Sequence, residues 1–178
     1  LEFIELGIKP IIFERGKSIE ERSIDVHRFI EERKLNINSN IQFGEGGAGA
    51  YSDGKLFSRG RNNYFIDKVL KTFVRFGAPS DIIYAEKPHL GTDIICKIVR
   101  NMRKHIVESG GEIYFNSKIT DILVSKDKVT GVVINGDKKW ESSIVCLAIG
   151  HSARDTFEML NHKGIVLEQK PISVGVRI

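Results

Sequence analysis

The chain has 178 residues, 41 % hydrophobic and 28 % charged, and 27 Lys+Arg against 23 Asp+Glu leave a net charge of +4; this suits one globular domain with a real core. No run reaches the ~18 apolar residues that cross a bilayer and no signal-peptide layout opens the chain, which argues against export and membrane spanning and for a cytoplasmic protein. Cys96 and Cys146 stand 50 positions apart without a CxxC, which argues against a disulfide scaffold or a metal site. The mild positive charge without Lys/Arg blocks argues against nucleic acid and suits a small anionic ligand.

Leu1 to Leu6 reads as the end of a helix, with Gly7 as its left-handed terminator. Ile11-Ile12-Phe13 is a short apolar run of the type buried in a parallel sheet, and it ends in Glu14-Arg15-Gly16. Helix, glycine turn, strand and acid form the second half of a βαβ unit, whose first strand and GxGxxG turn are expected upstream of Leu1. Ser18 to about Leu35 is helical, with Ile19, Val26, Phe29 and Ile30 inward. Glu20, Glu21, Arg22, Glu31, Glu32 and Arg33 form its polar face, and Ser18 with Glu21 matches a capping box. Residues 36–63 form a long loop region of the kind that is functional or disordered. A helix follows from Tyr64 to about Phe76. Another is capped by Thr92, carries Ile94, Ile95, Ile98, Val99, Met102 and Ile106 inward, and closes at Gly110-Gly111. Strands are predicted at Ile113–Phe115, Ile119–Ser125 and Val129–Asn135, with Asn135-Gly136 as a hairpin turn and 138–141 as the return strand. Ile144–Ile149 reads as a further buried strand, Asp155–Leu160 as a short helix and Ile172–Ile178 as the start of another strand. The fold class is α/β, a parallel sheet with an antiparallel β insert.

Four constellations could carry chemistry. Glu14 sits where dinucleotide folds place an acid on the adenosine ribose; the plainer reading is an ordinary surface Glu at a strand end, and as a solvated strand-tip carboxylate its loss is expected to change stability little. In the second, six of the seventeen residues from Gly44 to Gly60 are Gly, where average usage of ~7 % would give about one. Such a loop lets backbone approach a flat or charged ligand and turns its N–H groups into an anion nest. Lys55, Arg59 and Arg61 add positive charge beside it. The third, His89-Leu90-Gly91-Thr92-Asp93, opens a helix, and capping explains Thr92 and Asp93. The fourth is Gly150-His151-Ser152-Ala153 at a strand end, where ligands of open α/β sheets sit. His151 is a weak candidate for a proton donor, since a lone loop His more often serves only a hydrogen bond.

Taken in order, five segments resemble the bacterial FAD-dependent (NAD/FAD-utilising) dehydrogenase family, two-dinucleotide-binding flavoproteins of glutathione-reductase type. They are Ile12–Gly16, Gln42–Gly49, Tyr51–Leu56, His89–Asp93 and Ala148–Thr156. The resemblance covers nearly the whole chain. It implies a partial Rossmann-like FAD-binding domain over residues 1–170, with a helical insert at about 64–88 and a substrate domain starting at 171–178. Glu14 would bind the FAD ribose and Arg15 would lie near the adenine or ribose. Gly46, Gly47 and Gly49 would run along the flavin and its phosphates, with Lys55 adding charge. The backbone of Ile119 would face the adenine edge, and Gly150 would mark the strand end near the cofactor. The implied activity is hydride transfer between NAD or NADP, FAD and a small organic substrate, in a protein free to be an oligomer. The alternative is a non-catalytic nucleotide-binding or scaffold fragment.

Overall fold

The structure is a computed structural model that describes residues 1–56, 63–85 and 87–170. It is a mixed α/β chain divided into two compact units, Leu1–Lys118 and Ile119–Ile178.

In the first unit, α1 (Glu2–Glu5) ends at Gly7, whose φ of +75° is open to glycine without a Cβ penalty. The chain then enters β1 (Ile11–Phe13), which pairs in parallel with β2 (Glu112–Tyr114) in the register Ile12 to Ile113. Phe13 and Tyr114 stack at 5.5 Å between ring centres. Between these strands come α2 (Ile19–Glu32), α3 (Asn63–Arg75) and α4 (Thr92–Glu108). Helix α4 follows the 3.6-residue period: Ile98 and Ile106 are buried, and Ile94, Ile95 and Met102 pack against the core that holds Ile98. The larger core joins Leu70 and Phe76 from the α3 region, Ile82 from a 3-10 turn at Ser80–Ile83, Leu90 and Ile98. Each such side chain contributes about 1.5–3 kcal/mol by leaving water. A smaller core of Ile19, Ala50 and Cys96 lies where α2, the glycine-rich loop and α4 meet.

The second unit is a meander of β3 (Ile119–Ser125), β4 (Lys128–Ile134) and β5 (Lys138–Glu141), antiparallel throughout, followed by α5 (Arg154–His162). The β4–β5 loop is Asn135-Gly136-Asp137, with Asn135 and Gly136 at positive φ and the Asp137 N–H donating back to the Ile134 carbonyl at 3.3 Å. Ile122 of β3, Val132 and Ile134 of β4 and Leu160 of α5 are buried, and Lys163 after α5 pairs with Asp121 of β3 at 2.8 Å.

Several expectations are corrected. The run Ile144–Ile149 forms no strand: no described strand pairs with it, and without a ladder Ile144 and Leu147 stay wet, Ile144 at 82 % exposure. Ile30 turns to solvent and Arg22 is fully buried, because Ile19, Arg22 and Val26 share one stripe of α2. Neither expected side-chain cap forms. Ser18 donates to the Glu21 carboxylate, while the Ile19 N–H is taken by Glu45 of the loop. At α4 the N-cap is Gly91, because backbone pairing through Leu90 leaves the next residue to start the helix. The strand and domain expected at 171–178 lie outside the described residues, as do Arg59 and Arg61.

Candidate functional site

The stretch predicted as a long loop is built by its own polar side chains. Asn36 Oδ1 accepts the N–H groups of Asn38 and Ser39, and Asn40 Oδ1 accepts those of Gln42 and Phe43. Such side-chain-to-backbone bonds replace the ladder the segment lacks. Arg15 lies against this stretch, its guanidinium carbon 4.2 Å from the Phe43 ring centre and its Nε donating to Asn38 Oδ1 at 2.9 Å.

Glu14 and the glycine loop come together. Oε1 of Glu14 accepts from the Gly16 N–H at 2.8 Å and from the Gly44 N–H at 3.0 Å. Among the described residues Oε2 takes neither of these bonds. The strand-tip acid is therefore half-buried and tied into the fold, which corrects the expectation of a solvated group. Glu14→Ala leaves two amides unpaired where the strand tip meets the loop. The expected loss is about 1–3 kcal/mol, read as a lower denaturant midpoint at unchanged slope; an unchanged midpoint would show that water replaces the carboxylate at no cost.

Past Gly44 the loop makes a turn into a 3-10 helix, Ala48–Tyr51. Gly46 and Gly47 hold φ of +85° and +59°. The Gly47 N–H donates back to the Gly44 carbonyl and the Glu45 N–H to the Lys17 carbonyl. The N–H groups of Gly46, Ala48 and Gly49 form no hydrogen bond among the described residues, and all three residues are exposed. A Cβ built on Gly47 or Gly49 meets nothing within 4 Å. The turn thus presents unspent donors on an open face, beside a carboxylate that offers acceptors.

Charge around the turn is well compensated. Glu45 Oε2 accepts from the Ile19 N–H at 2.8 Å, at the positive end of α2, and from Arg103 at 3.1 Å. Burial pushes the Glu45 carboxyl up, against these two partners. Arg103 also holds Glu20 at 2.7 Å. Burial raises the Glu20 carboxyl, but the Arg103 hydrogen bond and charge outweigh it and the net shift is downward.

The residue that sequence periodicity misplaced is Arg22, 0 % exposed. Its Nε donates to the Asn40 carbonyl at 2.8 Å and its Nη2 to Ile41 at 2.9 Å. Nη1 donates to Gly44 at 3.2 Å and Glu45 at 2.6 Å. The Tyr51 ring centre lies 4.8 Å from its guanidinium carbon. The available signal was its place on the α2 stripe, three residues after Ile19 and four before Val26.

Lys55 does not reach toward the turn's free amides: it pairs with Asp53 at 2.7 Å, and its backbone bridges to His89. Pairing of Gly54–Leu56 with Pro88–Leu90 joins the second and third motifs, and His89 Nε2 donates to the Asp53 carbonyl at 2.7 Å. In the second unit Ile119 pairs with Ile134 beside a register shift at the start of β3. Gly150 has a φ of +66°, and His151 is exposed with Nδ1 3.3 Å from the Ser152 hydroxyl.

No known family model matches the chain. It is similar to an uncharacterized protein of Clostridium beijerinckii, 42 % identical over 181 residues that cover all of this chain and 33 % of that protein. The chain thus spans about a third of the length of the relative it matches. Among the described residues no helix is long and apolar enough to cross a membrane.

Proposed function

We propose that the chain belongs to a FAD-dependent oxidoreductase of the NAD/FAD-utilising dehydrogenase type, passing hydride between a nicotinamide cofactor, FAD and an organic substrate. In this reading the β1–β2 pair is part of a Rossmann-like sheet. The observation that carries it is the joining of Glu14 to the glycine turn with its unspent amides. A dinucleotide needs both chemistries within a few ångströms: an acceptor for ribose hydroxyls, and N–H donors for phosphate oxygens. Glu14 Oε2 would take the ribose, with Arg15 on the adenine side. The amides of Gly46 and Gly49 would hold the phosphates, Gly47 would keep that approach free of side-chain bulk, and Lys55 would add diffuse charge. Ile119 and Gly150 keep the roles that the resemblance implies. His151 remains a weak candidate for proton transfer. When bound, FAD supplies the hydride chemistry at its ring, and these residues supply binding and orientation.

Gly49→Ala in the full-length protein tests this. A Cβ there meets no protein atom within 4 Å, so the melting temperature of the flavin-free protein is expected to stay put. The added methyl would stand where a bound dinucleotide approaches, and the flavin dissociation constant is expected to rise at least tenfold, about 1.4 kcal/mol. Equal flavin affinity in both proteins would overturn the assignment of the turn. A full-length protein with no visible flavin band and no uptake of added FAD would overturn the cofactor itself. Bound flavin that neither NADH nor NADPH bleaches would favour a nucleotide-binding module over an oxidoreductase.

A further inference from the structure

We propose that Arg22 is the positioning residue of the glycine turn, holding it with the Gly46 N–H outward; the ligand side of this inference rests on the cofactor reading above. A fully buried Arg is rare unless its charge is paired; among the described residues no carboxylate forms an ion pair with it, and Glu14 and Glu45 act on it only at longer range. Its donors go to four main-chain carbonyls, those of Asn40, Ile41, Gly44 and Glu45. Those residues bracket the descent from the Asn-built stretch into the turn.

Peptide geometry turns this into a directional device. The Glu45 carbonyl and the Gly46 N–H belong to one planar trans peptide unit and point opposite ways; no cis peptide occurs among the described residues. With the Glu45 carbonyl drawn onto Nη1 at 2.6 Å, the Gly46 N–H is directed away from Arg22. The same holds one unit earlier, where the Gly44 carbonyl faces Arg22 and the Glu45 N–H goes to the Lys17 carbonyl. A carbonyl that accepts from a cation also makes the N–H of its own peptide a better donor. The close fit explains Gly44: a Cβ there would overlap the Arg22 side chain, and its φ is +122°. Tyr51 closes the other side of the guanidinium and hydrogen-bonds Ser23 of α2 at 2.8 Å, so both ends of the turn are fastened to one helix.

The fork of an Arg reaches several acceptors at once, whereas a Lys offers a single point of charge on a flexible stem. Arg22→Lys therefore keeps the cation and removes the geometry, and Arg22→Met removes both. Hydrogen–deuterium exchange of the full-length protein without flavin is followed in two segments. One is 40–47, where the Gly44, Glu45 and Gly47 amides are bonded; the other is 94–106 in α4. For Arg22→Lys we expect exchange at least tenfold faster in 40–47 with 94–106 unchanged, and a flavin dissociation constant raised at least tenfold. Arg22→Met should exceed it in both, unless it unfolds, in which case Arg22→Lys decides. Unchanged exchange in 40–47, or an equal rise in 94–106, overturns the proposal, since the first means no clamp and the second a general core residue. Raised loop exchange with unaltered flavin affinity overturns the positioning role. A wild-type protein that takes up no flavin overturns the cofactor reading instead, and the exchange arm then decides on the clamp.

Discussion

Gly54→Ala is expected to break the pairing of the Tyr51–Leu56 segment with Pro88–Leu90 and to destabilise the first unit strongly. Two costs coincide. The backbone sits at φ +77°, where an L side chain costs roughly 1–2 kcal/mol. An added Cβ would also overlap the Leu90 carbonyl oxygen, a backbone atom that cannot swing aside, and overpacking of this kind costs about 1–3 kcal/mol. Leu90 is 1 % exposed and belongs to the larger core, so relief by moving its peptide disturbs Ile98 and Phe76 as well. Gly7→Ala is the control: its φ of +75° matches and nothing lies within 4 Å, so it reports the backbone cost alone. Urea unfolding of both variants separates the two effects. Equal losses would mean that the Gly54–Leu90 contact yields freely.

Gly16→Ala is the second variant expected to fail, and for a different reason. Its φ lies outside the left-handed region, so strain plays no part. An added Cβ meets the Gly44 Cα at 2.6 Å, the Gly44 nitrogen at 2.7 Å and the Asn38 carbonyl oxygen at 2.8 Å. All three are main-chain atoms, so the methyl is accommodated only by pushing the loop off the strand tip. That separation also breaks the Glu14–Gly44 hydrogen bond. We expect a loss of about 1–3 kcal/mol from the overpacking alone, seen in thermal unfolding. A melting temperature within a degree or two of wild type would show that the close approach of the two glycines is dispensable.

What was legible in the sequence was whatever rests on local period and turn chemistry. The Ile119–Ser125 strand and the Asn135-Gly136 turn stand where alternation and positive φ require them. The helices α2, α3, α4 and α5 lie within a few residues of their apolar stripes. Apart from the turn of Ile30 to solvent, the misreadings involve a partner distant in the chain. Ser18 looked like a cap, but Glu45, twenty-six residues from Ile19, supplies the acceptor. Arg22 looked like surface because arginine is charged, yet its acceptors are carbonyls eighteen to twenty-three residues on. Ile144–Ile149 has the composition of a buried strand, but a strand exists only with a neighbour to hydrogen-bond. At the candidate site the glycine cluster and Glu14 could be singled out separately. Their joining through the Gly44 N–H could not, because nothing in the spacing of residues 14 and 44 encodes it.

The small core beneath the turn gives the molecule a built-in reporter. Cys96 is 8 % exposed and packs with Ile19 and Ala50, and burial raises its thiol above the ordinary range. Cys146 is the exposed thiol of the second unit. A thiol reagent is therefore expected to react with Cys146 first, and with Cys96 only when the segment carrying Ala50 lifts away from α4. The lag between the two alkylations is a clock for breathing of the turn, readable on unmodified protein. Any ligand that seats on the turn should lengthen that lag without touching the sulfur.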